Sequence, residues 1–145
     1  MKAKELHDLL YSLVGMFHQK FLCRFRKEYK SPPWMKKNHA KIINLLYRNE
    51  RLTATEIGKR LDIEKGSLTT LIDQLEERGF VVRESDPADR RRFLIALSDA
   101  GREEMNRAMD FYAGKLNDFF QGIDPQELEQ FMQSLRYAVT FLNKM

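Results

Sequence analysis

Apolar side chains recur along this chain with two different periods. Over residues 4–29, Leu6, Leu9, Leu10, Leu13, Val14, Phe17, Phe21 and Phe25 fall three or four positions apart, the spacing of one face of a helix. That pattern predicts one long amphipathic helix ending at Ser31-Pro32-Pro33, because proline disfavours helical geometry in the residue before it. Ala40, Ile43, Leu46 and Tyr47 predict a second helix over 36–49. Thr53 and Glu56 have capping-box spacing for a short helix through Leu61. After an Asp62-Ile63-Glu64 connector, Leu68, Leu71, Ile72 and Leu75 predict a helix to about Arg78, closed by Gly79 in a left-handed conformation.

Beyond Gly79 the period changes. Phe80-Val81-Val82-Arg83 and Phe93-Leu94-Ile95-Ala96-Leu97 read as two strands joined through a turn at Asp86-Pro87-Ala88-Asp89. Ser98 can cap a helix over 99–121. Asp124-Pro125-Gln126-Glu127 combines an N-cap, a proline in the first turn and an acidic third position. The final helix carries Leu128, Phe131, Met132, Leu135, Val139 and Leu142. The expected fold class is therefore mainly α, with a helix-turn-helix, a small antiparallel hairpin and long helices at both ends.

Composition narrows the function classes. A chain of 145 residues with 43% apolar and 32% charged side chains folds as one domain, or a domain with an extension, and is too small for a multi-domain enzyme. No apolar run approaches the ~20 residues of a membrane span, and no secretory leader is visible at the start. A single cysteine, Cys23, suits a reducing compartment, so the expected setting is the cytoplasm, away from membranes. The net charge is +4, with 11 basic and 4 acidic side chains in residues 1–50, 9 and 9 in 51–92, and 5 and 8 in 93–145. That surplus does not by itself indicate nucleic acid. There is no glycine-rich phosphate loop, no recognisable Ser/His/Asp arrangement and no paired metal ligands. The sequence thus predicts no enzyme, no cofactor and no metal site.

Residues 54–73 carry the functional signal. Gly58 is small where a second helix must cross, and Ile57, Leu61, Ile63, Leu68 and Leu71 occupy buried positions of a helix-turn-helix. Asp62 stands in the turn, where aspartate tolerates left-handed geometry better than most residues. Lys65, Gly66, Ser67, Thr69, Thr70, Asp73 and Gln74 then face away from the core, offering small polar groups to base edges or phosphates. The hairpin tip adds Asp89, Arg90, Arg91 and Arg92. Arginine suits phosphates and narrow minor grooves, and Asp89 is expected to hold one arginine while others stay free.

Taken together, Leu52–Gly58, Gly66–Thr69, Leu75–Val81, Asp86–Arg91 and Leu97–Gly101 resemble the multiple antibiotic resistance regulator (MarR) family. The resemblance implies a single domain over 1–145, with a helical dimerisation region at 1–30 and 99–145 and a winged helix-turn-helix DNA-binding region at 36–98. It implies a homodimeric regulator, usually a repressor, that binds an inverted repeat in double-stranded DNA and is released by a small molecule or an oxidant. Carried over by position, Lys65–Gln74 would read the major groove, Asp89 would orient Arg91 toward the minor groove, and Arg90 and Arg92 would contact phosphate. Thr70 and Gln74 stand where many relatives have arginine, and Glu64 where many have serine. The effector and operator are not specified by the sequence. A winged-helix module that binds protein instead of DNA is the alternative, favoured by the neutral charge of 51–92.

Other residues carry weaker signals. Met16, Phe17, Trp34, Met35, His39, Phe111 and Tyr112 are candidates for an effector pocket, although aromatic and methionine stripes are equally expected in a core or dimer interface. Cys23 lies beside Arg24 and Arg26, where positive charge favours a thiolate, and is a candidate redox sensor or an ordinary helix cysteine. His7 and His18 are eleven residues apart, ~16 Å along a helix, too far to share a metal within one chain.

Overall fold

The N-terminal apolar stripe folds as helix, but not as one unbroken α-helix. In the computed structural model, which describes all residues from 1 to 145, α1 (Ala3–Phe17) passes into a five-residue π turn (His18–Leu22) and then into α2 (Cys23–Glu28). The Cys23 N–H bonds to the His18 carbonyl five residues back. One extra residue is thereby absorbed, so the single helix expected over 4–29 needs this correction. The rings of Phe17, Phe21 and Phe25 form a ladder across the turn, with centroids 5.7 and 6.0 Å apart. Phe25 is buried, whereas α1 buries no residue at all.

Two compact units divide the chain, Met1–Asp110 and Phe111–Met145. The first contains α3 (Lys37–Arg48), β1 (Leu52–Thr53), α4 (Ala54–Leu61), α5 (Lys65–Glu77), β2 (Val81–Ser85), β3 (Phe93–Leu97) and the start of α6 (Asp99–Phe119). Its core is built from Ile42, Ile43 and Leu46 of α3, Ile57 of α4, Leu68, Ile72 and Leu75 of α5, Val81, Ile95 and Met105. The three- and four-residue spacing within α5 turns one side into this core and leaves the opposite side in solvent.

The hairpin has a third strand that the sequence did not announce. The sheet order is β1-β3-β2, antiparallel throughout, with Leu52 opposite Ile95 and Arg83 opposite Ile95 on the other side. Two residues of β1 are too few to show an alternating pattern. β2 also begins one residue later than the apolar run. Gly79 (φ +79°) and Phe80 still close α5, with the Phe80 N–H on the Leu75 carbonyl at 2.9 Å and the Gly79 N–H on Glu76 at 2.9 Å, a Schellman closure.

The end of α5 is clamped to the start of α6. Ser98 donates its N–H to the Phe80 carbonyl (3.0 Å) and its hydroxyl to the Gly79 carbonyl, while its oxygen accepts the Gly101 N–H at 3.1 Å. The approach is so close that a Cβ on Gly101 would stand 2.1 Å from the Phe80 carbonyl oxygen. Farther along α6, the buried carboxylate of Glu104 accepts from Tyr29 (2.7 Å) and Arg107, tying the chain after α2 to this helix.

In the second unit, the remainder of α6 is followed by a turn with Gly122 at φ +87° and by α7 (Pro125–Leu142). Asp124 caps α7 by accepting the Gln126 N–H, with Pro125 at the first helical position. Phe120 packs on Phe131, centroids 6.2 Å apart, but α7 buries no residue fully. No helix is long and apolar enough to cross a membrane.

Candidate nucleic-acid interface

The geometry of α4 and α5 begins at a reciprocal cap. Thr53 Oγ1 accepts the Glu56 N–H at 3.2 Å, and Glu56 Oε1 accepts the Thr53 N–H at 3.1 Å and its hydroxyl at 3.0 Å. These bonds from Thr53 hold the Glu56 carboxyl below its ordinary pKa, since they favour the charged form. α4 ends at Asp62, whose φ and ψ of 52° and 52° are left-handed, and the Ile63 N–H returns to the Gly58 carbonyl at 3.0 Å. A Cβ on Gly58 would lie 3.2 Å from both the Ile63 oxygen and Leu68 Cδ2. The small residue is what lets α5 cross α4 this closely.

Lys65, Gly66, Ser67, Thr69, Thr70, Asp73 and Gln74 all lie exposed on α5. Thr69 and Thr70 donate their hydroxyls to the Lys65 and Gly66 carbonyls at 2.9 and 3.3 Å. Each keeps its oxygen lone pairs and its methyl for anything approaching the helix. Glu64 precedes α5 without supplying a side-chain cap. Gln74 is differently engaged: its Oε1 is 2.7 Å from Nε2 of His39 on α3.

Arg83 was not singled out by sequence, yet it organises this face. From β2 its guanidinium bonds Asp73 and, at 2.8 Å, Glu76, and the Asp73 hydrogen bond raises its pKa further. Two carboxylates that would repel phosphate are thereby paired. The signal was an acidic pair three apart on a helix, but nothing local in the sequence names its partner.

The wing turn is fastened from within. Asp86 is buried and accepts the Ala88 N–H at 2.9 Å, and its own N–H reaches the Arg92 carbonyl at 3.1 Å. Asp89 accepts the Arg91 N–H at 3.0 Å and the Arg91 guanidinium at 3.2 Å. Those bonds from Arg91, with the charge of Arg92, keep the Asp89 carboxyl below the usual aspartate range. Arg92 bridges Asp86 and Asp89 at 3.3 and 3.8 Å, and Arg90 is exposed with no ion pair. Arg91 remains 90% exposed while held, so its fork is pre-aimed outward.

Of the effector-pocket candidates, Trp34, Met35 and His39 lie close together in the first unit. Trp34 and His39 touch edge to face (5.4 Å), Trp34 packs on Phe80 (5.3 Å), and the Arg78 guanidinium stands 5.2 Å over Trp34. These residues border a cleft of about 570 Å³ lined by Trp34, Lys36, His39, Gln74, Glu77 and Arg78. Met35 packs against the core beside it. Met16 and Phe17 are exposed on α1, and Phe111 lies in the second unit against Tyr112. Cys23 is partly exposed, with its sulfur 3.5 Å from Nδ1 of His18 across the π turn. No three His, Cys, Asp or Glu side chains gather as a metal site would require.

A helix-turn-helix whose second helix stands free on one side, followed by a hairpin with an arginine-tipped turn whose sheet is completed by the strand before α4, is a winged helix-turn-helix. Residues 35–92 match the sequence profile of the MarR family. Among its relatives is YkoM of Bacillus subtilis, described as an uncharacterized HTH-type transcriptional regulator, 35% identical over 97 residues that make up 67% of this chain and 63% of YkoM. The chain thus spans less than two thirds of that relative. A MarR family protein from Bacillus stearothermophilus has the same fold, with a TM-score of 0.75 at 19% identity over 97% of this chain and 95% of that one. FabT of Streptococcus pneumoniae, solved in complex with DNA, superposes with a TM-score of 0.70 at 18% identity, covering 96% of this chain and 98% of its own.

Proposed function

We propose that this protein is a homodimeric, sequence-specific DNA-binding transcriptional regulator, a repressor that occupies an inverted repeat and leaves it when a small molecule or oxidant arrives. The observation that carries the reading is the wing. Asp89 spends its carboxylate on orienting Arg91 while leaving that guanidinium in solvent, an arrangement that serves an absent anion better than it serves the fold. In this reading Lys65, Ser67, Thr69 and Thr70 meet the major groove, Arg91 enters the adjacent minor groove, and Arg90 and Arg92 contact phosphate.

Dimerisation supplies the second half-site. α1 and α7 each expose an apolar stripe, including Leu9, Leu13 and Phe17 on the first and Phe131, Leu135 and Phe141 on the second. Exposed stripes of this length call for a partner, and a two-fold axis would present two α5 helices to major grooves about 34–36 Å apart. An effector would act by favouring a dimer whose spacing no longer matches.

Selection from a random duplex pool at ~0.15 M salt, with and without reductant, tests this. Enrichment of an inverted repeat with half-sites one turn apart is the expected result. Loss of binding on oxidation would implicate Cys23. Failure to enrich any repeat, with binding insensitive to salt, would overturn the reading in favour of a protein-binding module.

A further inference from the structure

His39 is among the most completely enclosed polar side chains of the first unit, 3% exposed, and both ring nitrogens have fixed roles. Nδ1 is 3.0 Å from the backbone N–H of Lys36, at the start of α3. That N–H can only donate, so Nδ1 must offer a lone pair and the proton must sit on Nε2. Nε2–H then donates to Gln74 Oε1 at 2.7 Å. The neutral ring thus ties the first turn of α3 to the recognition helix.

We propose that His39 is a positioning residue for DNA binding, a proton-gated latch that holds α5 through Gln74 only while the imidazole is neutral. Protonation would place Nδ1–H against the Lys36 N–H, two donors facing one another, and break the junction. The charged groups lining the same cleft are Lys36, Arg78 and Glu77, two cations against one anion, so nothing there is built to receive an imidazolium. Arg78 is further occupied over the Trp34 ring, which itself closes the edge of His39.

The sign follows from linkage. The tethered state excludes a proton from Nδ1, so the tether is present while the ring is neutral and lost on protonation. Added positive charge alone would strengthen DNA binding on acidification. The latch predicts the opposite, a loss approaching tenfold per pH unit for each protomer. Glu56 and Asp89, held below their ordinary values, stay ionised between pH 8 and 5.

The DNA arm of the test rests on the regulator reading, whereas two arms on the free protein do not. Nitrogen-15 imidazole correlations at pH 8 should report the Nε2–H tautomer of His39; an Nδ1–H tautomer would overturn the latch. Hydrogen exchange on the full-length protein should show α5 amides losing protection between pH 8 and 5 after correction for intrinsic rates. His39→Gln, which offers a carbonyl and an amide without a titratable ring, should flatten that loss, as should Gln74→Leu. Pool-selected duplex should lose affinity over the same range with the native chain and not with His39→Gln. Retention of the native pH response in both variants sinks the latch. Absence of DNA binding at every pH, with the exchange response intact, would refute the regulator reading and leave the latch standing.

Discussion

Two parts of this molecule carry equally regular apolar stripes and do opposite things with them. In α3, α4 and α5 the stripe is used up within the chain: Ile42, Leu46, Ile57, Ile72 and Leu75 are all essentially inaccessible. In α1 and α7 the same periodicity ends in solvent, and neither helix buries a single residue. Periodicity therefore states which positions must be covered and not what covers them. The difference lies in composition between the stripes. The central helices are short and separated by caps and tight turns, at Thr53, Asp62 and Gly79, that bring their faces together. The terminal helices run on for 15 and 18 residues, and although the Gly122 turn sets Phe131 of α7 against Phe120, neither stripe is buried.

The contrast can be tested where its effect is largest, at a stripe residue of each kind. Ile72→Ala should cost about 2–5 kcal/mol, as a buried truncation that leaves a cavity, and by the same amount at every protein concentration. Leu13→Glu should leave the winged-helix core folded by circular dichroism yet abolish the proposed dimer by light scattering, with the proposed DNA affinity lost alongside. A Leu13→Glu chain that unfolds would place α1 with the core helices instead. Leu13→Ala should give a melting temperature that depends on protein concentration, because association stabilises by mass action.

Smaller effects sharpen the account of what aligns the central helices. Thr53→Ala removes the reciprocal cap and should cost about 1 kcal/mol, read by denaturant unfolding. Asp89→Asn should leave the melting temperature within error and weaken DNA binding several-fold, since the guanidinium of Arg91 loses its guide and not its charge. The wing also has a defined acid limit. The Asp89 carboxyl is depressed in the folded chain, so its contribution is present above the ordinary aspartate value near 3.9 and lost as pH falls through the lower folded value. Backbone amide shifts of residues 86–92 should accordingly stay constant down to about pH 4 and change below it.

Much of this was legible because its causes are local. The Thr53–Glu56 cap, the left-handed Asp62, the small Gly58 at the crossing and the Asp89–Arg91 pair each lie within a few residues of the partner that explains them. What escaped was either too short to leave a pattern or joined by the fold. β1 has two residues. Arg83 finds Asp73 and Glu76 only because β2 lies back along α5, and His39 meets Gln74 across 35 residues of sequence. Gln74 is exposed, as read from the sequence, and its bond to a buried imidazole was not legible there. The Phe17, Phe21 and Phe25 spacing remained consistent with an unbroken helix while concealing the π turn between them.

That π turn separates two stretches of one rod by a phase of about 100°, the rotation of one residue. Closing His18–Leu22 into ordinary α geometry with all five residues retained would undo the absorption of one extra residue. Every residue before it would then be swung by that angle relative to Phe25, which is anchored in the first unit. The leucine stripe would keep its composition and its length but face a different direction. A substitution that straightens this turn is therefore expected to alter which surface the N-terminal helix can mate with, whereas deletion of one residue would preserve it, so a chain of this kind can change its assembly partner without changing any residue that touches one.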